Sequence, residues 1–369
     1  MALSGAVALG TVLAPDPWPG FVIPPYWQQV EGDKAILRFK TRQPVPVKIT
    51  VDPAAEVTGD LAATPGLRHL ELSGLEPGQR YTVRIEPQAV DTTASVVTAT
   101  VRPVPEATET LQVLVLGDSR RYADRARSVA RAASQERFDL ILHTGDLVNY
   151  PGDRSLFATA FFGPLAPLLM QAEVVPAMGN HEDAAEEFHD FFELPGNERW
   201  FRMVRGPAEI IVVATDEWLD DGSPQLTWLD EVLGRPLREF RILMLHRPVV
   251  TWAGQWGPHE PAASVLLPRL RRAGVRLVLA GHSHLYERNL KLTEPEILYV
   301  TAGHAGSDWH SGQRERPPDV VGRTIFETLG FVTVQLSDNG AVMESKDTAG
   351  AVLDRCRFER TRWNCEPND

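Results

Sequence analysis

The sequence is poor in cysteine, in positive charge and in long apolar runs. Its 369 residues hold two cysteines, Cys356 and Cys365, both near the end. A bridge between them would close a short loop and contribute on the order of 2–3 kcal/mol, mostly by constraining the unfolded chain. It would also point to an oxidising compartment; two free thiols in a reducing cytosol are the other reading. Lys and Arg number 37 against 49 Asp and Glu, for a formal net charge of −12. That balance argues against nucleic acid or an anionic membrane surface as the main partner, while leaving room for a local positive pocket. No stretch approaches the roughly 18 apolar residues of a transmembrane helix. The start, Met1 to Leu13, is apolar and small but carries no Lys or Arg. It reads as a trimmed secretory signal or as a first strand. A secreted, periplasmic or cell-envelope protein is the expectation, and a cytoplasmic one stays open. The hydrophobic share of 43% and charged share of 23% are those of globular chains, which excludes general disorder. The length suggests two or three domains at about 150 residues each.

In the first hundred residues, Pro and Gly punctuate short β-prone runs. Ala35 to Phe39 and Val45 to Val51 alternate as half-buried strands. Pro77-Gly78 makes a turn, and Tyr81, at the head of the next strand, can return its hydroxyl to that turn. Ser95 to Val101 is the last strand. The stretch Leu75-Glu76-Pro77-Gly78-Gln79-Arg80-Tyr81 resembles the tyrosine corner of a fibronectin type III sandwich. Residues 1–105 are therefore expected to form such an all-β domain. Arg102 to Glu106, with two prolines, reads as a stiff linker.

Beyond it, apolar runs alternate with helical stretches, which argues for an α/β domain over 106–345. Each run ends in polar residues: Gly117-Asp118-Ser119-Arg120, Gly145-Asp146, Gly179-Asn180-His181-Glu182, His246, and Gly281-His282-Ser283-His284. In open α/β sheets ligands bind outside the carboxyl ends of strands. A lone Gly-Asp is a common turn and a lone His-x-His is weak. Five such ends together are hard to obtain from turn chemistry. Nine of the ten histidines lie at or beyond 143, so metal chemistry belongs to this domain. The helices between look ordinary. Ser223-Pro224 opens one with Leu226, Leu229, Val232 and Leu233 on a single face and Trp228 as packing. Residues 346–369 are expected to be a C-terminal strand and tail.

The order GD, GD, GNHE, H, GHxH resembles the calcineurin-like metallophosphoesterases, over roughly Leu111 to Met343. Gly281 to Arg288 (GHSHLYER) and Gln225 to Leu229 (QLTWL), with a fibronectin-like domain in front, are similar to the purple acid phosphatase branch. The resemblance implies a sandwich of two mixed β-sheets flanked by helices. It implies two divalent or trivalent metal ions, drawn from Fe, Zn or Mn. Asp118, Asp146 and His284 would hold the first; Asp146, Asn180, His246 and His282 would hold the second, with Asp146 bridging. A shared hydroxide would attack phosphorus in line, and His181 would stabilise the transition state or protonate the leaving oxygen. The substrate would be a small phosphoester.

Two positions depart from that pattern. Relatives often carry a histidine where Arg120 stands, or a glycine there with a tyrosine ligand three residues after the bridging carboxylate. Here the latter place is Asn149, with Tyr150 one residue later. The first metal then has three protein ligands, or Tyr150 reaches it through a bulge. Arg120 is suited either to a substrate phosphate or to a structural ion pair. His259 is a candidate second substrate-facing imidazole. His304 is expected to hydrogen-bond behind a ligand, His143 to pack in its strand, His189 and His310 to lie on the surface, and Glu182 to form an ion pair or start a helix. Selectivity is expected in the loops 150–162, 251–260 and 307–320. If Arg120 has cost the site its activity, the chain would instead be a binding module. The oligomeric state is not legible from the sequence.

Overall fold

Strand runs of alternating burial gather into three sheets, which the computed structural model describes for residues 18–367. Within that span, residues 89–95, 106–109, 151, 183–185, 218, 221, 237–239, 255, 295 and 338–339 are not described. The apolar start expected as a leader or first strand lies outside the described residues.

Two large sheets build the α/β part. One runs, neighbour to neighbour, from Arg362–Cys365 through Val352–Glu359, Gly340–Asp347 and Gly330–Ser337 to Thr110–Leu116, Leu140–His143 and Glu173–Pro176. The last three are parallel to one another. The second sheet has seven strands, ordered Phe201–Arg205, Ala208–Val212, Phe240–Met244, Val275–Ala280, Leu298–Ala302, Tyr286–Lys291 and Val320–Ile325. Its middle four are parallel and its flanks antiparallel, so both sheets are mixed.

The twofold period of a strand decides what fills each layer. Ile210, Val212, Ile242, Met244, Leu277 and Leu279 face inward and share one core with Val113, Val115, Leu140 and Val174 of the first sheet. Ile211, Val213, Leu243, Leu245 and Val278 face outward and pack under the helices Pro224–Leu233 and Glu260–Arg272. The first of these helices starts as expected: Ser223 Oγ accepts from Leu226 N at 3.3 Å and Pro224 sits at its first position. Both faces of the second sheet's central strands are therefore buried, which is why they read as unbroken apolar runs.

The N-terminal part is a β-sandwich. Phe21–Glu31, Lys34–Thr41, Arg68–Ser73 and Glu56–Gly59 form one layer, and Val47–Asp52, Tyr81–Pro87 and Val97–Val101 the other. Tyr81 Oη accepts from Glu76 N at 2.8 Å, the expected return to the turn. The sandwich is not set apart by its linker. Phe21–Glu31 pairs in parallel with Glu173–Pro176, so the first layer continues the large sheet into eleven strands. Trp27 Nε1 donates to Met170 O at 3.2 Å, and Tyr26 Oη donates to Phe191 O at 2.6 Å. Arg205 pairs with Glu173 through Nε and Nη2, at 2.8 and 2.9 Å, and lies 3.6 Å from Glu31.

The C-terminal stretch is more than a tail. Val352–Glu359 and Arg362–Cys365 are the edge strands of the large sheet, and Cys356 is bonded to Cys365 directly opposite. Asp354 accepts from Tyr286 Oη at 2.7 Å and from Arg288 Nε and Nη2 at 2.9 and 3.0 Å, all buried. The tyrosine and arginine of GHSHLYER thus fasten the strand after the histidines to this edge.

Candidate metal centre

Each expected ligand lies where its strand ends and the chain turns sharply. Asp118, Asp146 and His282 have φ of 55°, 59° and 67°, left-handed values that non-glycine residues seldom adopt. Glycines beside them let side chains and backbones close up. A Cβ on Gly281 would stand 2.6 Å from Asp118 Oδ2, and one on Gly179 would collide with Asp146 Oδ1. The strain is held by buried hydrogen bonds. Asp118 Oδ2 accepts from His282 N at 2.8 Å. Glu182 is fully buried and accepts four backbone N–H groups, from Asp146 (2.9 Å), Leu147 (2.8 Å), Val148 (3.0 Å) and Gly179 (3.0 Å). Among the described residues it forms no ion pair; it splints the turn that presents Asp146.

One cluster is tight. Asn180 Oδ1 lies 3.1 Å from His246 Nε2 and 2.9 Å from His282 Nδ1. His246 Nε2 lies 3.3 Å from Asp146 Oδ1. Four ligands at tetrahedral bond lengths of about 2.0–2.1 Å would stand about 3.3 Å apart. His246 Nδ1 donates to Thr144 O at 2.8 Å, which leaves the Nε2 lone pair facing the cluster. Burial alone would lower the His246 pKa, but Asp146, Asp118 and Asp216 outweigh it and raise it. Burial raises Asp146, yet His246, Arg120 and His181 together hold it well below the usual carboxylate range. Burial, then the charges of His246 and Arg247, push His282 down to about 2, so its ring is neutral and available. These residues fit a cation.

The second cluster is Asp118, Asp146 and His284, whose ligand atoms all lie within 4.8 Å of one another. Asp118 Oδ1 has no hydrogen-bond partner among the described residues and stands 3.4 Å from His284 Nε2. Arg120 enters this cluster. Its Nε donates to Asp146 Oδ2 at 2.9 Å and its Nη1 to Asn149 Oδ1 at 2.6 Å; Nη2 lies 3.4 Å from His284 Nε2. Of the two roles open to Arg120, the structure takes the ion pair. Asn149 is a partner of that arginine, and Tyr150 is 73% exposed, so no local bulge brings the phenol in.

His181 has its Nδ1 against Asn149 O at 2.8 Å and its Nε2 3.9 Å from Asp146 Oδ2, at the mouth of the centre. His310, expected on the surface, is half-buried. It stacks on His284 with ring centroids 3.8 Å apart, and its Nδ1 accepts from His284 N at 3.1 Å. Burial and the neighbouring His284 push it down to about 4. His259 stands at the start of Glu260–Arg272; burial and then Arg247 lower its pKa, and its Nδ1 has no partner among the described residues. His304 is buried, and among the described residues neither ring nitrogen has a hydrogen-bond partner, so the expected bond behind a ligand is not seen. His143 packs in its strand as expected, with Nε2 3.0 Å from Ser119 Oγ. His189 pairs with Glu198 at 3.1 Å.

Two residues of the rim escaped the sequence reading. Arg247, next to His246, is ion-paired with Asp216 and places Nη1 3.1 Å from His282 Nε2. Trp256 is 60% exposed, with its ring 6.3 Å from that of His282. A polar residue directly after a strand-end histidine was the available signal for Arg247. The expected selectivity loop 150–162 is largely helical instead, Arg154–Leu156 running into a π-helical turn Phe157–Phe162 whose Phe157, Phe161 and Phe162 are buried.

Residues 111–286 match the model of the Calcineurin-like phosphoesterase family. The chain carries a calcineurin-like phosphoesterase domain. Among curated relatives of this phosphoesterase, purple acid phosphatase 21 of Arabidopsis thaliana is 22% identical over 333 residues, 82% of this chain and 74% of the plant protein. A cAMP/cGMP dual specificity phosphodiesterase of Mycobacterium tuberculosis is 33% identical over 191 residues, 46% of this chain and 58% of that protein. Among solved structures, a purple acid phosphatase from yellow lupin (Lupinus luteus) seeds superposes with a TM-score of 0.72 at 16% identity, over 91% of this chain and 74% of the lupin chain. GAP50, the anchor in the inner membrane complex of Plasmodium, reaches a TM-score of 0.55 at 17% identity, over 68% and 89%. Both structures share the expected metallophosphoesterase sandwich, and the lupin match, over 91% of this chain, extends to the all-β part in front. The family match and the curated relatives support a phosphoric ester hydrolase.

Proposed function

We propose that the phosphoesterase domain hydrolyses small phosphoesters at a metal centre seated on Asp146, Asn180, His246 and His282. The observation that carries the reading is the convergence of four ligand atoms, from four separate strand ends, at spacings of 2.9–3.3 Å. A cation held there would polarise a phosphoryl oxygen and acidify a water. The chain's own residues do the rest. His181 donates from Nδ1 to the Asn149 carbonyl, which fixes its tautomer and leaves Nε2 to exchange a proton with the leaving oxygen. Asp216 holds Arg247 beside the cluster, where its guanidinium can take a substrate phosphate oxygen. His259, next to Arg247, serves as a second substrate-facing group. A two-cation centre of Fe, Zn or Mn would add an ion on Asp118 and His284, the position that Arg120 enters.

The test is turnover of p-nitrophenyl phosphate and of its bis-ester by protein loaded with Mn2+, Zn2+ or Fe. The monoester and diester arms separate phosphatase from phosphodiesterase action, which the two curated relatives divide between them by name. Asp146→Asn should abolish turnover on both; turnover persisting near the original rate would sink the assignment. A binding module is the second reading, favoured by the shared fold of an anchor protein. Bound metal without hydrolysis of either ester would select it.

We also read residues 1–105 as a fibronectin type III-like domain, 106–345 as the catalytic domain and 346–369 as a C-terminal extension of it. The Cys356–Cys365 bond supports a secreted or cell-envelope location. Among the described residues no helix is long and apolar enough to cross a membrane.

A further inference from the structure

We infer that Arg120 is a built-in cation closing the first metal position, so that the resting protein holds one metal ion tightly rather than two. This rests on the hydrolase reading only for the second cluster; the closure itself is a matter of charge and donor geometry.

The guanidinium matches what a metal at that position would need. A metal there would draw on Asp118, Asp146, His284 and a fourth ligand near residue 149. Arg120 directs Nε to Asp146 Oδ2 at 2.9 Å, Nη1 to Asn149 Oδ1 at 2.6 Å, and Nη2 towards His284 Nε2 at 3.4 Å. Three of the four positions are thus met by N–H groups that cannot be deprotonated, because arginine stays charged at any ordinary pH. The single Nε2 lone pair of His284 cannot serve a metal at the same time, and a metal on Asp146 Oδ2 would have to share that oxygen with the guanidinium. A dication placed among them would also face a fixed positive charge at contact distance in a buried site.

The bridging carboxylate divides its oxygens accordingly. Asp146 Oδ2 goes to Arg120; Oδ1 faces His246 Nε2 and accepts from His181 N at 3.2 Å. The second cluster keeps its four ligand atoms free of any guanidinium donor, since Arg247 reaches only the far nitrogen of His282. The side chain of Arg120 is 11% exposed and that of Asp146 is 1% exposed, so water does little to loosen the pair. Asp118 Oδ1 has no partner among the described residues, so the guanidinium does not reach it. The mononuclear form still presents two adjacent positive groups to a phosphate: the metal and the guanidinium.

The test is metal stoichiometry and magnetism on the full chain, with Mn2+ alone as the probe. After loading and desalting, wild type should retain one Mn2+ and give the six-line electron paramagnetic resonance signal of an isolated ion. Arg120→Gln, nearly isosteric and neutral, should retain two, with the multiline signal of a coupled pair. Arg120→His, which removes the charge and offers a ligand, should do the same. Asn180→Ala should lose the single wild-type equivalent. If the arginine variants do not fold, the wild-type spectrum alone decides. A coupled pair in wild type overturns the inference, and with turnover of p-nitrophenyl phosphate it leaves the hydrolase reading standing. Failure of the folded Arg120→Gln protein to gain a second ion overturns it too. Wild type that retains no metal and turns over neither ester overturns both.

Discussion

Replacing Glu182 by glutamine tests how the centre is held. The carboxylate is fully buried; Oε1 accepts from Leu147 N and Val148 N, and Oε2 from Asp146 N and Gly179 N. Burial and then the charge of Asp146 raise its pKa, but four N–H donors leave neither oxygen free to carry a proton. Glutamine keeps one oxygen. Its amide nitrogen must then face two backbone N–H groups that have no other acceptor. Two hydrogen bonds to a charged group, at about 1.5–3 kcal/mol each, put the loss at about 3–6 kcal/mol. Losses of that size belong to a short list of mechanisms, among them stranded buried polar groups. The left-handed turn at Asp146 would relax with it and move the carboxylate away from His246. Urea denaturation of Glu182→Gln should therefore show a lower midpoint, and Mn2+ titration a weaker tight site. A loss of unfolding free energy below about 0.5 kcal/mol, with metal affinity unchanged, would refute the account of Glu182 as a splint.

Three other outcomes are expected. Tyr150→Phe should leave ester turnover unchanged, and the iron-loaded protein should lack a tyrosinate charge-transfer band in the visible, because Tyr150 is 73% exposed. His304 should make the protein acid-sensitive: burial lowers its pKa from 6.5 to about 4, so the fold keeps it neutral while the unfolded chain takes up a proton first. Stability from this group is full above pH 6.5 and is lost as pH falls towards 4, by about 3 kcal/mol at about 1.4 kcal/mol per unit. His304→Gln should flatten the unfolding free energy against pH in that window. Reduction of the Cys356–Cys365 bond should cost about 2–3 kcal/mol of unfolding free energy, measured by urea titration with and without dithiothreitol.

The strand ends were legible because each advertises itself twice, as an apolar run and then as glycine followed by a ligand-type side chain. Burial on both faces made the runs unambiguous, and Ser223-Pro224 announced its helix by local chemistry alone. What stayed hidden depends on contacts between distant segments. His310 follows no strand, and only the fold of 303–310 brings its ring onto His284. Arg120 was recognisable as unusual, but its direction is set by Asp146 and Asn149, twenty-six and twenty-nine residues away. The segment 150–162 lacked a helical period because a π-helical turn spaces its three phenylalanines differently from an α-helix. The role of Glu182 is invisible in the sequence because four backbone amides, unlike a lysine or arginine, leave no trace in composition.

The parallel pairing of Phe21–Glu31 with Glu173–Pro176 makes the N-terminal sandwich a structural lid on an otherwise open sheet margin. Cutting the chain near residue 105 would strip that margin of its neighbour, leave Met170 O and Phe191 O without their side-chain donors, and take Glu31 away from Arg205. The truncated remainder would then carry a raw edge able to zip onto another copy of itself. The two halves should melt in one transition, and swapping the first half between relatives would succeed only where the margin strand is swapped with it.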